Sequence, residues 1–136
     1  MREILFKAKR IDNGEWVEGY YRRIPCMRLL EHYIMPQNPK NRMEQYAINL
    51  DTLCQYTGLT DKNGVKIWEN DILKANLDDD FAEDTTYEWV KWYESGFYTY
   101  EDNSLVSILD IWDTENFEVC GNVFDNPELL GNNSAS

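Results

Sequence analysis

Asp61, Lys62, Glu69 and Asp71 crowd the stretch from Thr57 to Ile72, which Gly58 and Gly64 punctuate. Acids and a lysine gathered around glycines invite an active-site reading, because such groups can exchange protons with a bound substrate. A structural account uses more of the same residues. Asn63-Gly64 makes a tight reversal, Ile67 and Ile72 pack inward with Val65, and the charges solvate the rim. Asp71 then caps backbone donors at a bend, which is structural as well.

The other candidate chemistry is thinner still. Asp78, Asp79, Asp80, Glu83 and Asp84 supply the clustered oxygens a hard cation takes. They lack the order of a calcium loop, with no glycine at its sixth position and Trp89 where its last acid belongs. His32 is the one histidine, so a nucleophilic arrangement would have to join it to a distant Cys54 or Cys120, and nothing in the spacing does so. Zinc wants four nitrogen or sulfur ligands, against one histidine and three scattered thiols, Cys26, Cys54 and Cys120. No glycine loop for phosphates is present. The expectation is a non-enzyme without catalytic, cofactor or metal-binding residues.

Two features suit binding instead. Trp89, Trp92, Tyr93, Phe97, Tyr98 and Tyr100 form an aromatic run that can pack, stack on bases or line a subunit interface. Strand alternation puts Trp89, Lys91 and Tyr93 on one face and Val90, Trp92 and Glu94 on the other, leaving aromatic surface outside. Arg22, Arg23, Arg28 and Arg42 are the local cations available to a phosphate.

The chain has 136 residues with 43% hydrophobic and 14% aromatic side chains, enough for one modest core and unlike a disordered composition. Its net charge of −12 is uneven. Up to Trp68 there are 11 Lys and Arg against 8 Asp and Glu; from Glu69 onward there are 2 against 17. A field of that sign repels phosphates and disfavours direct nucleic-acid binding by the second half. No apolar run spans a bilayer, the start carries no apolar signal core, and three separated thiols suit reduced, packed cysteines. A cytoplasmic protein, away from membranes, is expected.

Strands must position these residues. Ile4, Phe6 and Ala8 alternate with Leu5, Lys7 and Lys9, and Asn13-Gly14 turns the chain into Trp16 to Arg23, predicting a β-hairpin. Ile24 to Met43, with Pro25, Pro36 and Pro39, reads as an irregular connection with at most a short strand at His32 to Met35. Ala47 to Tyr56 reads as a short strand or a helical turn ended by Thr57-Gly58, and Asp61 to Gly64 as a second hairpin turn. Leu77 to Asp84 reads as a solvated loop. Tyr87 to Tyr93 and Phe97 to Tyr100 pair as strands around Ser95-Gly96. Leu105 to Trp112 suits strand or helix, and Phe117 to Phe124 a final strand. Asn126, Pro127 and Glu128 cap a short helix ending near Gly131, before a frayed tail at 132–136.

The segment Tyr56-Thr57-Gly58-Leu59-Thr60-Asp61-Lys62-Asn63-Gly64-Val65-Lys66-Ile67-Trp68-Glu69-Asn70-Asp71-Ile72 resembles the central signature of the YopX family, small proteins of phages and prophages of Gram-positive bacteria. Arg2 to Ala8 and Phe117 to Leu129 resemble the family's two ends. The resemblance implies a mainly β fold with an SH3-like barrel in the second half, a tendency to self-associate, and no known activity. One domain over 1–136 follows, with a hairpin region and connection at 1–50 and the barrel-like part at 51–131. The family pattern has Gly where this chain has Asn70, and Asn is the next most tolerant residue of a left-handed turn position. Three functions are expected in turn: a non-catalytic accessory protein that binds and self-assembles as a homo-oligomer, an acidic mimic of nucleic acid that occupies a DNA-binding protein, and a small-nucleotide sponge or sensor.

Overall fold

Eleven short strands, one helix and two 3₁₀ turns are laid out along a computed structural model, which describes residues 4–27, 29–76, 85–94, 96–101 and 104–130. The chain folds as two units, Met1–Tyr56 and Thr57–Ser136. Both are antiparallel β structures, as the strand periodicities require.

In the first unit, β1 (Phe6–Lys9) pairs with β2 (Trp16–Cys26), Phe6 opposite Gly19 and Lys9 opposite Trp16. Gly14, at φ +74°, supplies the left-handed position that closes the intervening turn. Arg10 Nη2 meets Asp12 Oδ2 there at 2.6 Å. On its other side β1 pairs with the start of β5 (Cys54–Thr60) through Phe6–Gln55 and Lys7–Cys54. β3 (Leu29–Pro36) lies along β2, and β4 (Tyr46–Ala47) along β3. Ala8, Ile34 and Ile48 form the core of this unit, with Phe6, Val17, Tyr21 and Leu53 packed around them.

The expected irregular connection after Ile24 is instead a hairpin arm. β2 runs through Pro25 to Cys26 and returns in β3 from Leu29. Proline interrupts a central strand because the ladder needs its missing N–H, but a two-stranded ribbon has an open edge on each strand and tolerates it. Irregular chain is confined to the segment between β3 and β4. Ala47 to Tyr56 holds both structures weighed for it: β4 ends there, a 3₁₀ turn covers Leu50–Thr52, and β5 begins. Thr57 and Gly58 do not end that segment, since β5 passes through them to Thr60 with Gly58 at φ +89°.

In the second unit, β5 leads through the Asn63-Gly64 turn into β6 (Lys66–Trp68), as expected, with Gly64 at φ +82°. β7 (Asp71–Asn76), β8 (Thr85–Tyr93), β9 (Gly96–Glu101), β10 (Ser104–Ile108) and β11 (Glu118–Asn122) make a sheet in the order β10-β9-β8-β7-β11. Among the described residues β10 and β11 remain its two edges. The ambiguous run at Leu105 resolves into β10 followed by α1 (Ile111–Asn116), and Pro127–Leu130 is a 3₁₀ turn. Ile67, Leu73, Ala75, Val90, Phe97, Leu109 and Phe117 are the core, joined by Leu59 and Val119. Val65, expected inward with Ile67 and Ile72, is 50% exposed, because it sits where the turn ends. The acidic loop assigned to Leu77 to Asp84 and the tail at 132–136 lie outside the described residues.

Candidate functional site

Asp61 begins the turn that the sequence singles out. Its buried carboxylate accepts three backbone N–H groups: Oδ1 from Asn63 at 2.8 Å and Val65 at 2.9 Å, and Oδ2 from Val119 at 2.8 Å. Charge-assisted bonds of this kind are the strong ones, and one side chain here shapes its own turn while fastening it to β11. Asn63 Nδ2 adds a bond to Glu118 Oε2 at 3.2 Å, and Lys74 Nζ lies 3.6 Å from Glu118 Oε1. Asp71, also buried, accepts the Trp68 N–H at 2.8 Å. Thr57 Oγ1 donates to the Ile67 carbonyl at 2.7 Å. The carboxylates of the central segment are thus engaged with the chain's own backbone, Lys62 is exposed and Glu69 half-buried.

Asn70, at φ +73°, occupies the left-handed position expected of it. Its N–H donates to the Val90 carbonyl at 2.7 Å and its carbonyl accepts from Val123 at 3.0 Å. The bend between β6 and β7 is thereby tied to a neighbour on each side.

His32 stands on the arm, its Nδ1 sharing a 2.6 Å hydrogen bond with Tyr21 Oη and its ring stacked on Tyr21 at 5.8 Å between centroids. Cys54 is buried, its thiol donating to the Thr52 carbonyl at 3.2 Å. Cys120 is half-buried at the bulge where β11 slips register against β7, and burial pushes its thiol pKa up, opposed by Lys74 and reinforced by Glu118. Neither thiol is in a disulfide. No group of three or more His, Cys, Asp or Glu side chains converges on a metal position among the described residues.

The aromatic run sorts by alternation. Register pairs Trp89 with Tyr100, Val90 with Thr99 and Lys91 with Tyr98. Val90, Phe97 and Thr99 are buried on the inner face, where Trp92 meets Phe97 edge-on at 4.9 Å. The outer face carries Trp89, Tyr93, Tyr98 and Tyr100. Trp89 and Tyr100 lie 5.4 Å apart, Tyr93 and Tyr98 6.1 Å, and Lys91 Nζ stands over both Trp89 and Tyr100 at 5.4 and 5.6 Å. On β10, Leu105 and Ile108 face Tyr100 and Tyr98 and remain 46% and 53% exposed. Glu94 and Glu101 are exposed at the two ends of β9. An aromatic and aliphatic sheet face with an acidic border suits a protein partner better than a phosphate. Arg22, Arg23 and Arg42, the cations considered for phosphate, are exposed on the first unit, and Arg28 lies outside the described residues.

A family model described as YopX protein matches residues 5–131. The chain belongs to the YopX family. Its fold resembles the crystal structure of protein EF1440 from Enterococcus faecalis, with a TM-score of 0.58 and 22% identity over 96% of this chain and 100% of that one. Comparison with curated proteins gives no match. The YopX signature thus coincides with the Asp61 turn and the Asn70 bend, both of which organise backbone.

The arm was missed by sequence reasoning, as was the Asp61 to Val119 contact. The alternation of Tyr20, Arg22 and Ile24 against Tyr21, Arg23 and Pro25 was the available signal for the arm. For Asp61 there was none, since its partner is remote in sequence.

Proposed function

We propose that this YopX-family chain is a non-catalytic accessory protein of a phage or prophage, working in the host cytoplasm by binding and by self-assembly into a homo-oligomer. The outer face of the second unit's sheet carries this reading: four aromatic rings and two exposed aliphatic side chains form a continuous surface, and surfaces of this kind on soluble domains are usually covered by a partner. Engagement of Asp61 and Asp71 by backbone donors supports a structural rather than a catalytic role for the signature. Reading the second half as an SH3-like barrel rests on the family resemblance, with which its five antiparallel strands are compatible. Size-exclusion chromatography with light scattering at micromolar concentration tests the proposal, and a strict monomer overturns the self-assembly part.

A second reading draws on charge. The second unit holds four Lys and Arg against eighteen Asp and Glu, a balance of −14, and an acidic mimic occupying the groove of a DNA-binding protein would use that field. Recovery of basic nucleic-acid-binding proteins from host lysate at low salt, lost at high salt, supports it; recovery of none removes it.

A further inference from the structure

We infer that the β2–β3 arm is the assembly element, docking on the outer aromatic face of the second unit in another copy of this chain. The inference rests on the self-assembly reading and assigns its two surfaces.

The arm is defined by where its neighbours stop. β1 accompanies β2 only from Trp16 to Gly19, and β4 meets β3 only at Tyr33 and Ile34. Tyr20 to Cys26 and Leu29 to His32 therefore have only each other for a ladder, a ribbon about 20 Å long. Two strands alone are marginal in water and hide little apolar surface. Met27 at the turn is fully exposed at 100%, Leu30 is 53% exposed, and Tyr20 is exposed at the base. Met27 holds φ +56°, a left-handed conformation that presents an unbranched, adaptable side chain at the tip.

Charge then selects the occupant. The first unit has nine Lys and Arg against seven Asp and Glu, a balance of +2, against −14 for the second. Arg22 and Arg23, both exposed, fall on opposite faces of the ribbon, so either face offers a guanidinium. Guanidinium groups stack on aromatic rings and pair with carboxylates. The outer face of β8, β9 and β10 offers Trp89, Tyr93, Tyr98 and Tyr100 for the first and Glu94 and Glu101 for the second, outnumbering Lys91. Leu105 and Ile108 add apolar area for Met27 and Leu30. Arm-to-arm pairing would set arginines against arginines, which like-charge repulsion disfavours. Joining two different surfaces is a head-to-tail contact, which repeats into a ring or an open chain.

Light scattering across a concentration series reads the test, with circular dichroism confirming the fold of each variant. Met27→Asp, the pair Arg22→Glu with Arg23→Glu, and the pair Glu94→Lys with Glu101→Lys are each expected to raise the dissociation constant about tenfold or more. Combining all four charge reversals in one chain is expected to restore association. A monomeric wild type overturns the self-assembly reading itself. Wild-type association by the arm variants overturns the arm alone, and failure of the fourfold variant to recover overturns the aromatic face as its receiver.

Discussion

Asp61 Oδ2 accepts the backbone N–H of Val119 at 2.8 Å, a bond between residues 58 positions apart. Together with the two bonds on Oδ1 it makes one carboxylate the acceptor for a turn and an adjoining strand. Replacing Asp61 by Ala leaves those donors without an acceptor and is expected to cost about 2–4 kcal/mol in a urea melt, the scale of a lost buried charge-assisted network. Lys62→Ala, at the exposed neighbouring position, is expected to change stability by under about 0.5 kcal/mol. Equal losses in the two variants would contradict the assignment.

Asn70 at φ +73° sets a second test. Asn70→Gly is expected to be tolerated within about 1 kcal/mol, because Gly enters the left-handed region freely and gives back in unfolded-state entropy what it gains in ease. Asn70→Val should lose about 1–2 kcal/mol more, since a branched Cβ crowds the following carbonyl. Chemical denaturation of the three proteins orders them.

Gly19 shows what close strand approach demands. A Cβ added there would stand 2.0 Å from the Met35 carbonyl oxygen, and backbone cannot step aside as a flexible side chain does. Gly19→Ala is expected to destabilise by about 1–3 kcal/mol, toward the upper end of overpacking costs. A thermal melt within error of wild type would show that β2 and β3 separate there at little cost.

Cys120 predicts a pH dependence. Burial raises its thiol pKa above the ordinary value, while the same thiol in the unfolded chain ionises near about pH 8.5. Below that pH the stabilisation is fully present. As pH rises toward the folded value the unfolded state alone sheds its proton, and stability falls. Cys120→Ala should therefore show a shallower decline than wild type between about pH 8 and about pH 10, read from urea melts at each pH. Parallel curves would refute a buried thiol.

What the residues disclosed in advance was local chemistry. The two Asn-Gly turns, the Asn70 bend and the facing of Trp89, Lys91 and Tyr93 follow from φ preferences and strand alternation, which need no knowledge of partners. The arm was hidden because Pro25 reads as a strand breaker, and only the absence of a third strand beyond Gly19 makes it harmless. The long-range grip of Asp61 on Val119 was hidden because no pattern within a short window ties a turn to a strand so far along the chain. The aromatic face was legible as alternation, whereas the exposure of Leu105 and Ile108 beside it depends on the register of β10, including its slip between Leu105 and Ser107.

The strand β5 begins beside β1 in one unit and ends in the turn leading to β6 in the other, with the division after Tyr56 falling in its middle. A genetic crossover at that division would hand each descendant half of a strand cut to another parent's register. Halves of such proteins are therefore exchanged between lineages cleanly only when the breakpoint lies outside Cys54–Thr60, so β5 should be inherited as one piece even where the flanking sequences have separate histories.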